Sequence, residues 1–98
     1  MSKTEIFEIV VTCLKETLEQ AGFESPSRIT GQTDPIRDLG LDSMTGIAFA
    51  CGISARGIAV PETDNPFVDD KRKTSRNISA IVDHLHELSQ KQEAAHAG

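Results

Sequence analysis

Between Thr4 and Ala21 the apolar residues Ile6, Val10, Leu14 and Leu18 recur at every fourth position, and Phe7, Val11 and Cys13 widen the row. A strand sends odd and even positions to opposite faces, so this mixed set reads as a helix with one buried stripe. Glu8, Lys15, Glu16 and Glu19 largely occupy its other faces. A helix of this kind persists only when other apolar faces cover its stripe.

Gly22 stops the first helix, and the "ESPSRITGQTDPI" that follows is rich in Ser, Thr, Pro and Gly, which reads as a long ordered loop. Asp42 or Ser43 then supplies a helix-start oxygen for an open backbone N–H, and a second helix runs to about Ala55 or Arg56. Its expected core face is Met44, Ile47, Ala50, Cys51 and Ile53, and Gly57 ends it in the left-handed conformation. Gly46 and Gly52 lie inside this helix and each costs about 1 kcal/mol relative to Ala, so it depends on tertiary packing.

The stretch "IAVPETDNPFVDD" reads as an extended connection into a short third helix near Phe67 to Lys73. A last helix is expected from about Thr74 or Ser75 to Ser89, with Ile78, Ile81, Val82, Leu85 and Leu88 on one stripe and Thr74, Ser75 and Asn77 as competing caps. "QKQEAAHAG" carries no stripe and is expected to fray. The expectation is an all-α fold in one domain spanning 1–98, a small bundle of three main helices plus one short helix. Its ordered core covers about 4–90, with a flexible tail at 91–98.

At 98 residues and 38% apolar content the chain has room for one core and none for a deep enzyme cleft, which disfavours a self-sufficient enzyme. A net charge of -5 disfavours nonspecific binding to nucleic acid or anionic membranes, both of which require a basic face. No apolar run is long enough to insert stably in a membrane, and Lys3, Glu5 and Glu8 stand where a signal peptide would be apolar, so a cytoplasmic location is expected. Cys13 and Cys51 lack metal or redox spacing and read as two buried thiols in a reducing compartment. Four Phe without Trp or Tyr give little surface for stacking on bases or sugars.

His84 and His86 stand two positions apart, with His96 as a third possible ligand; paired metal ligands on a helix want three or four positions, so no metal site is expected and the rings should face solvent. Ser43 as a catalytic nucleophile would require an oriented base and an oxyanion hole, and "GLDSM" lacks the G-x-S-x-G elbow and any strand leading into it, so no catalytic residue is expected. Lys71, Arg72, Lys73 and Arg76 form a basic cluster that reads either as a solvated face or as a docking patch for an acidic or phosphate-bearing partner.

The segment "DLGLDSM" is more specific than a helix cap alone. It opens the second helix after one amphipathic helix and a long loop, and "GIAVP" follows the helix end. In this combination the chain resembles the acyl carrier proteins over roughly residues 4–90, on the signature Leu39, Gly40, Leu41, Asp42, Ser43 and Met44, where the family usually has Leu after the serine. The resemblance implies that Ser43 is the attachment point for 4′-phosphopantetheine delivered from coenzyme A by a phosphopantetheinyl transferase, and that Asp42 supports transferase recognition. It further implies that the arm carries acyl groups as thioesters between acyl-loading and acyl-transfer or condensing enzymes. Met44 and Ile47, with Phe49, would line a slot for the acyl chain.

Three departures from the family pattern point to a specialised lipid, fatty-acid or polyketide pathway. The second helix has Arg56 as its one charged residue where family members commonly present several carboxylates. The helix end, "SARGIAVP", is one residue shorter and lacks an aromatic before the glycine. The segment from Pro61 to Ile78 is longer and holds the basic cluster. Met44, Ile47, Arg56, Lys71, Arg72 and Lys73 are therefore the expected partner contacts of a monomeric carrier. A peptidyl carrier, or an unmodified helical adaptor that binds proteins through residues 71–76, is the alternative.

Overall fold

Ser2 opens the first helix. In the computed structural model, which describes residues 1–24, 26 and 28–97 with side chains through residue 93, its hydroxyl accepts the Glu5 N–H while the Glu5 carboxylate accepts the Ser2 N–H. This reciprocal cap starts α1 (Lys3–Gln20), whose buried residues Ile6, Val10, Cys13, Leu14 and Leu18 are the expected stripe, joined by Thr17. Gly22, at φ 83, ends α1 as expected: its N–H reaches Glu19 O at 3.1 Å and that of Phe23 reaches Leu18 O at 2.9 Å. Together they satisfy the last open carbonyls of the helix.

The long loop is fastened to the start of the last helix, α3 (Ile78–Ala97). Ile78 and Ser79 donate their N–H groups to Thr33 O and Gly31 O at 2.8 and 2.9 Å, and Asn77 Oδ1 accepts the Ala80 N–H at 2.9 Å. Asn77 is therefore the cap among the three candidates. The buried Asp34 carboxylate accepts the N–H groups of Ile36 and Arg37 and the Ser75 hydroxyl, so the loop carries its own polar framework. Among the described residues no buried side-chain polar atom lacks a partner.

The expected short helix from Phe67 to Lys73 is absent. The segment instead forms a two-stranded antiparallel ladder, β1 (Val68–Asp69) and β2 (Thr74–Ser75), with Val68 opposite Ser75 and Asp69 opposite Thr74. Asp69 Oδ1 accepts the Lys71 and Arg72 N–H groups at 3.0 and 3.2 Å, and Lys73 takes a left-handed φ of 55, which together close the turn between the strands. Val68 is the single apolar residue between the fully buried Phe67 and Ile78, so no helical stripe was available to compete. The same ladder moves the start of the last helix from Thr74 or Ser75 to Ile78.

α3 also continues past Ser89, where its stripe ends, as far as Ala97. Gln92 donates to Ala59 O at 2.8 Å and Glu93 meets the Met1 amino group at 3.0 Å, giving part of the expected tail tertiary partners. The side chain of His96 lies outside the described residues, as does Gly98.

The second helix, α2 (Ser43–Ala55), and α3 both pack against α1, and the core they enclose includes Leu41, Ile58 and Phe67 from the connections. A radius of gyration of 12.9 Å matches the roughly 13 Å of a packed chain of about 100 residues. The architecture is a compact three-helix fold with a small ladder. No described helix is long and apolar enough to cross a membrane.

Candidate functional site

The start of α2 is built outward from a turn. Gly40 at φ 74 reverses the chain, Leu41 is buried and donates its N–H to Pro35 O at 3.1 Å, and Asp42 then stands at the cap position. Asp42 Oδ1 accepts the Thr45 N–H at 2.9 Å, and Thr45 Oγ1 accepts the Asp42 N–H at 3.1 Å. Thr45 thus fills the place usually held by Glu or Gln in a reciprocal cap. Its backbone N–H, and after it its hydroxyl, hold the Asp42 carboxyl below the ordinary aspartate value.

That direction fixes a pH prediction. The cap binds the carboxylate form, so its contribution is complete above the unfolded value near 3.8 and is lost as pH falls through the lower folded value. A carboxyl-carbon NMR titration should place the Asp42 midpoint below 3.8, and Thr45→Ala should move it back up. An Asp42 midpoint unchanged by Thr45→Ala contradicts this assignment of the cap.

Ser43 is the first residue of α2 and is exposed. Its hydroxyl has no hydrogen-bond partner among the described residues, while its backbone carbonyl accepts Asn65 Nδ2 at 2.7 Å. Asn65 Oδ1 also accepts the Phe67 N–H at 3.0 Å, so one short side chain ties the connector to the helix start. Gly46 makes this possible: a Cβ there would lie 2.0 Å from Asn65 Oδ1. Gly46→Ala should therefore displace Asn65 and cost about 1–3 kcal/mol through lost hydrogen bonds and crowding. In an Asn65→Ala background the same change should become neutral or stabilising, because only the gain in helix propensity of about 1 kcal/mol remains. Urea unfolding of the four proteins measures this reversal of sign.

The face of α2 that enters the core is the expected one only at Ala50 and Ile53. Gly46, Phe49, Ala50 and Ile53 are buried, whereas Met44 and Ile47 are 72% and 53% exposed and Cys51 is exposed. Phe49 pairs with Phe67 at a centroid distance of 4.9 Å and is closed off from the surface, so it does not line a slot. The two cysteines differ accordingly: Cys13 is buried, and burial pushes its thiol up, while Cys51 is not.

Ile47 does line a groove of about 540 Å³, together with Ala50, Cys51 and Ser54 of α2 and Val60, Pro61, Glu62 and Asp64 of the connector. The connector wall is fixed at several points. Val60 N–H reaches Ser54 Oγ at 3.2 Å, Gln92 reaches Ala59 O, and His84 Nε2 meets Asp64 Oδ2 at 2.6 Å with both side chains 21% exposed. His84, expected in solvent, is thus a strut between α3 and the groove wall.

The remaining expected contacts are dispersed. Arg56 Nη2 meets Glu16 Oε1 at 2.6 Å and Nη1 reaches Gly52 O at 3.3 Å, which joins the end of α2 to α1. Lys71, Arg72 and Lys73 are exposed on the turn of the ladder, while Arg76 folds inward onto Asn65 O and Pro66 O. The sequence pattern marks none of Asn65, Asp64 and Gly46 as part of the site. A glycine inside a helix was the available signal, since it often marks a close approach of other atoms. No protein-family model, curated protein or solved structure matches this chain.

Proposed function

We propose that the chain is a carrier in which the Ser43 hydroxyl receives 4′-phosphopantetheine from coenzyme A through a separate phosphopantetheinyl transferase. The observation that carries this reading is an unpartnered, exposed hydroxyl on the first residue of a firmly capped helix, one turn from an apolar groove. A serine that acted by itself would require an adjacent base, whereas one modified by another enzyme needs only access and a rigid mount.

Each neighbour has a part in that role. Asp42 holds the helix start and presents a carboxylate beside the hydroxyl, and Asn65 anchors the Ser43 carbonyl so that the side chain is left outward. When bound, the arm supplies a thiol that holds an acyl group as a thioester. Ile47, Ala50, Val60 and Pro61 offer apolar surface beside it, with Ser54, Glu62 and Asp64 giving the groove a polar side. The pathway assigned is a specialised lipid, fatty-acid or polyketide one, served by acyl-loading and acyl-transfer or condensing enzymes from the cytoplasm. A peptidyl carrier uses the same serine and arm with aminoacyl cargo.

Intact-mass analysis after incubation with coenzyme A and a broad-specificity transferase tests the proposal. One arm should be added per chain, and peptide mapping should place it on Ser43. No gain in mass with several competent transferases, on a chain that remains folded, overturns the carrier reading in favour of an unmodified adaptor.

A further inference from the structure

Among the described residues, the exposed hydroxyls without a hydrogen-bond partner are those of Thr4, Ser43, Thr63, Thr74 and Ser79. Their settings differ. Thr4 and Ser79 sit in the first turns of α1 and α3, Ser43 follows Asp42, and Thr63 stands between Glu62 and Asp64. Thr74 alone follows a run of cations, Lys71, Arg72 and Lys73, and Arg76 lies two places beyond it. The three preceding cations are exposed and outside every ion pair among the described residues. The neighbouring Ser75 is not equivalent, because it is half-buried and its hydroxyl donates to the buried Asp34 carboxylate.

The ladder that presents Thr74 is built to open locally. Its strands have two residues each, and a hairpin of that size is marginal by itself. Lys73 takes a left-handed φ of 55 at a cost of roughly 1 kcal/mol or more, which opening the turn returns. The base of the ladder is held separately, by the buried Phe67 and by the Arg76 N–H bonded to Phe67 O at 2.8 Å. Residues 71–74 can therefore lie extended in another protein's groove while the core stays intact.

We propose that Thr74 is a phosphorylation site for a protein kinase whose peptide groove carries carboxylates, and that Arg72 and Arg76 hold the phosphate once it is attached. Carboxylates in that groove attract Lys71, Arg72 and Lys73 and repel the acid-flanked Thr63 and Ser43. In the transfer, Thr74 Oγ1 forms a bond to the γ-phosphorus of ATP and the bond to the β,γ-bridging oxygen breaks. ADP leaves, and a base of the kinase takes the hydroxyl proton. Asp69 marks the surroundings of the new group, since it is the ladder partner of Thr74 and paired residues share a face. The Arg72 and Lys71 amides, and after them the charges of Arg76 and Arg72, hold the Asp69 carboxyl below the ordinary aspartate value, so both guanidinium groups act on that face. A phosphate of charge about −1.5 to −2 offers them three strong acceptor oxygens. Arg76 at present has only the Asn65 and Pro66 carbonyls, at 3.4 and 3.3 Å. The modification thus offsets much of the charge of the basic turn and draws Arg76 off the connector. None of this depends on the carrier reading.

The test incubates the full chain with ATP and magnesium, once with an arginine-directed kinase and once with an acid-directed one. Intact mass should show one phosphoryl group per chain with the first and none with the second, and peptide mapping should place it on Thr74. Thr74→Val should accept none, Ser75→Ala should still accept one, and K71Q/R72Q/K73Q should react at least tenfold more slowly, with circular dichroism confirming each fold. Phosphorus NMR then follows the attached group, whose midpoint should lie below the ordinary value of about 6 and rise in Arg76→Gln. Modification at another residue, an undiminished rate in K71Q/R72Q/K73Q, or no modification by several arginine-directed kinases overturns the site. A midpoint that Arg76→Gln leaves unmoved overturns the capture of the phosphate. Ser43→Ala should be phosphorylated like the parent, so failure of phosphopantetheine incorporation and failure of this site are read separately.

Discussion

Ser43→Ala should take phosphopantetheine incorporation from one arm per chain to none while leaving the unfolding transition nearly where it is. The separation is possible because of where each bond lies. The hydroxyl of Ser43 has no partner among the described residues, the cap is supplied by Asp42, and Asn65 holds the Ser43 backbone carbonyl, which alanine retains. Alanine at an exposed helical position differs from serine by at most about 0.7 kcal/mol of propensity, in the favourable direction. Intact mass and urea unfolding on the same sample check both halves. Asp42→Ala is the contrasting variant, since it removes the cap and should lower stability and loading together. If Ser43→Ala still gained an arm, the acceptor would be another hydroxyl of this helix start, Thr45 foremost, and the assignment of Ser43 would be wrong.

The helices flanking this site were readable from the sequence because their charged residues leave one possible core face. In α1, Glu8, Lys15, Glu16 and Glu19 are all exposed, so the remaining stripe can only turn inward. α2 has no such constraint: apolar residues surround it, and Met44, Ile47 and Cys51 form as plausible a row as Phe49, Ala50 and Ile53. Tertiary packing decides between them. Phe49 has the largest side chain in the helix, and the core supplies Phe67 as its partner, so that face is buried and the other is left to solvent. An apolar row beside Ser43 is thus a consequence of the choice of core face, and two of its members, Ile47 and Cys51, line the groove.

What the sequence could not disclose depends on pairs distant along the chain. The ladder has two residues per strand and takes its stability from the burial of Phe67, the reach of Arg76 to Asn65 and Pro66, and the closure of the turn by Asp69. None of these leaves a periodic trace. His84 looked like a solvent-facing residue because its partner, Asp64, belongs to the connector, and α3 outlasts its apolar stripe where Gln92 finds Ala59. Gly46 was readable as a weak point of the helix, but its reason, the amide of Asn65, was not. The cap and the exposed serine were legible, since both follow from residues within a few positions of each other.

Phe49→Ala should be among the most destabilising single changes in the domain. Phe49 is fully buried and meets the Phe67 ring at 4.9 Å with the planes inclined by 37°. Truncating a buried phenylalanine costs about 3–5 kcal/mol, against a total of about 5–15 kcal/mol for domains of this kind. At about 4–8 °C per kcal/mol for a chain of this size, the thermal midpoint should fall by roughly 12–40 °C, measurable by circular dichroism. Phe49→Leu, which keeps most of the volume, should cost far less. Phe67→Ala should be comparably severe, and a double-mutant cycle should return a coupling of about 0.5–1.5 kcal/mol between the rings. A coupling near zero would mean that the rings fill space independently. A measurable coupling would make the pair the joint between α2 and the ladder, so that Phe67→Leu, with the domain still folded, should loosen the 71–73 turn before it loosens the cap at Asp42. Amide exchange in that variant, faster at the turn than at Thr45, is the expected signature, and equal acceleration at both would show that the turn and the helix start open as one unit.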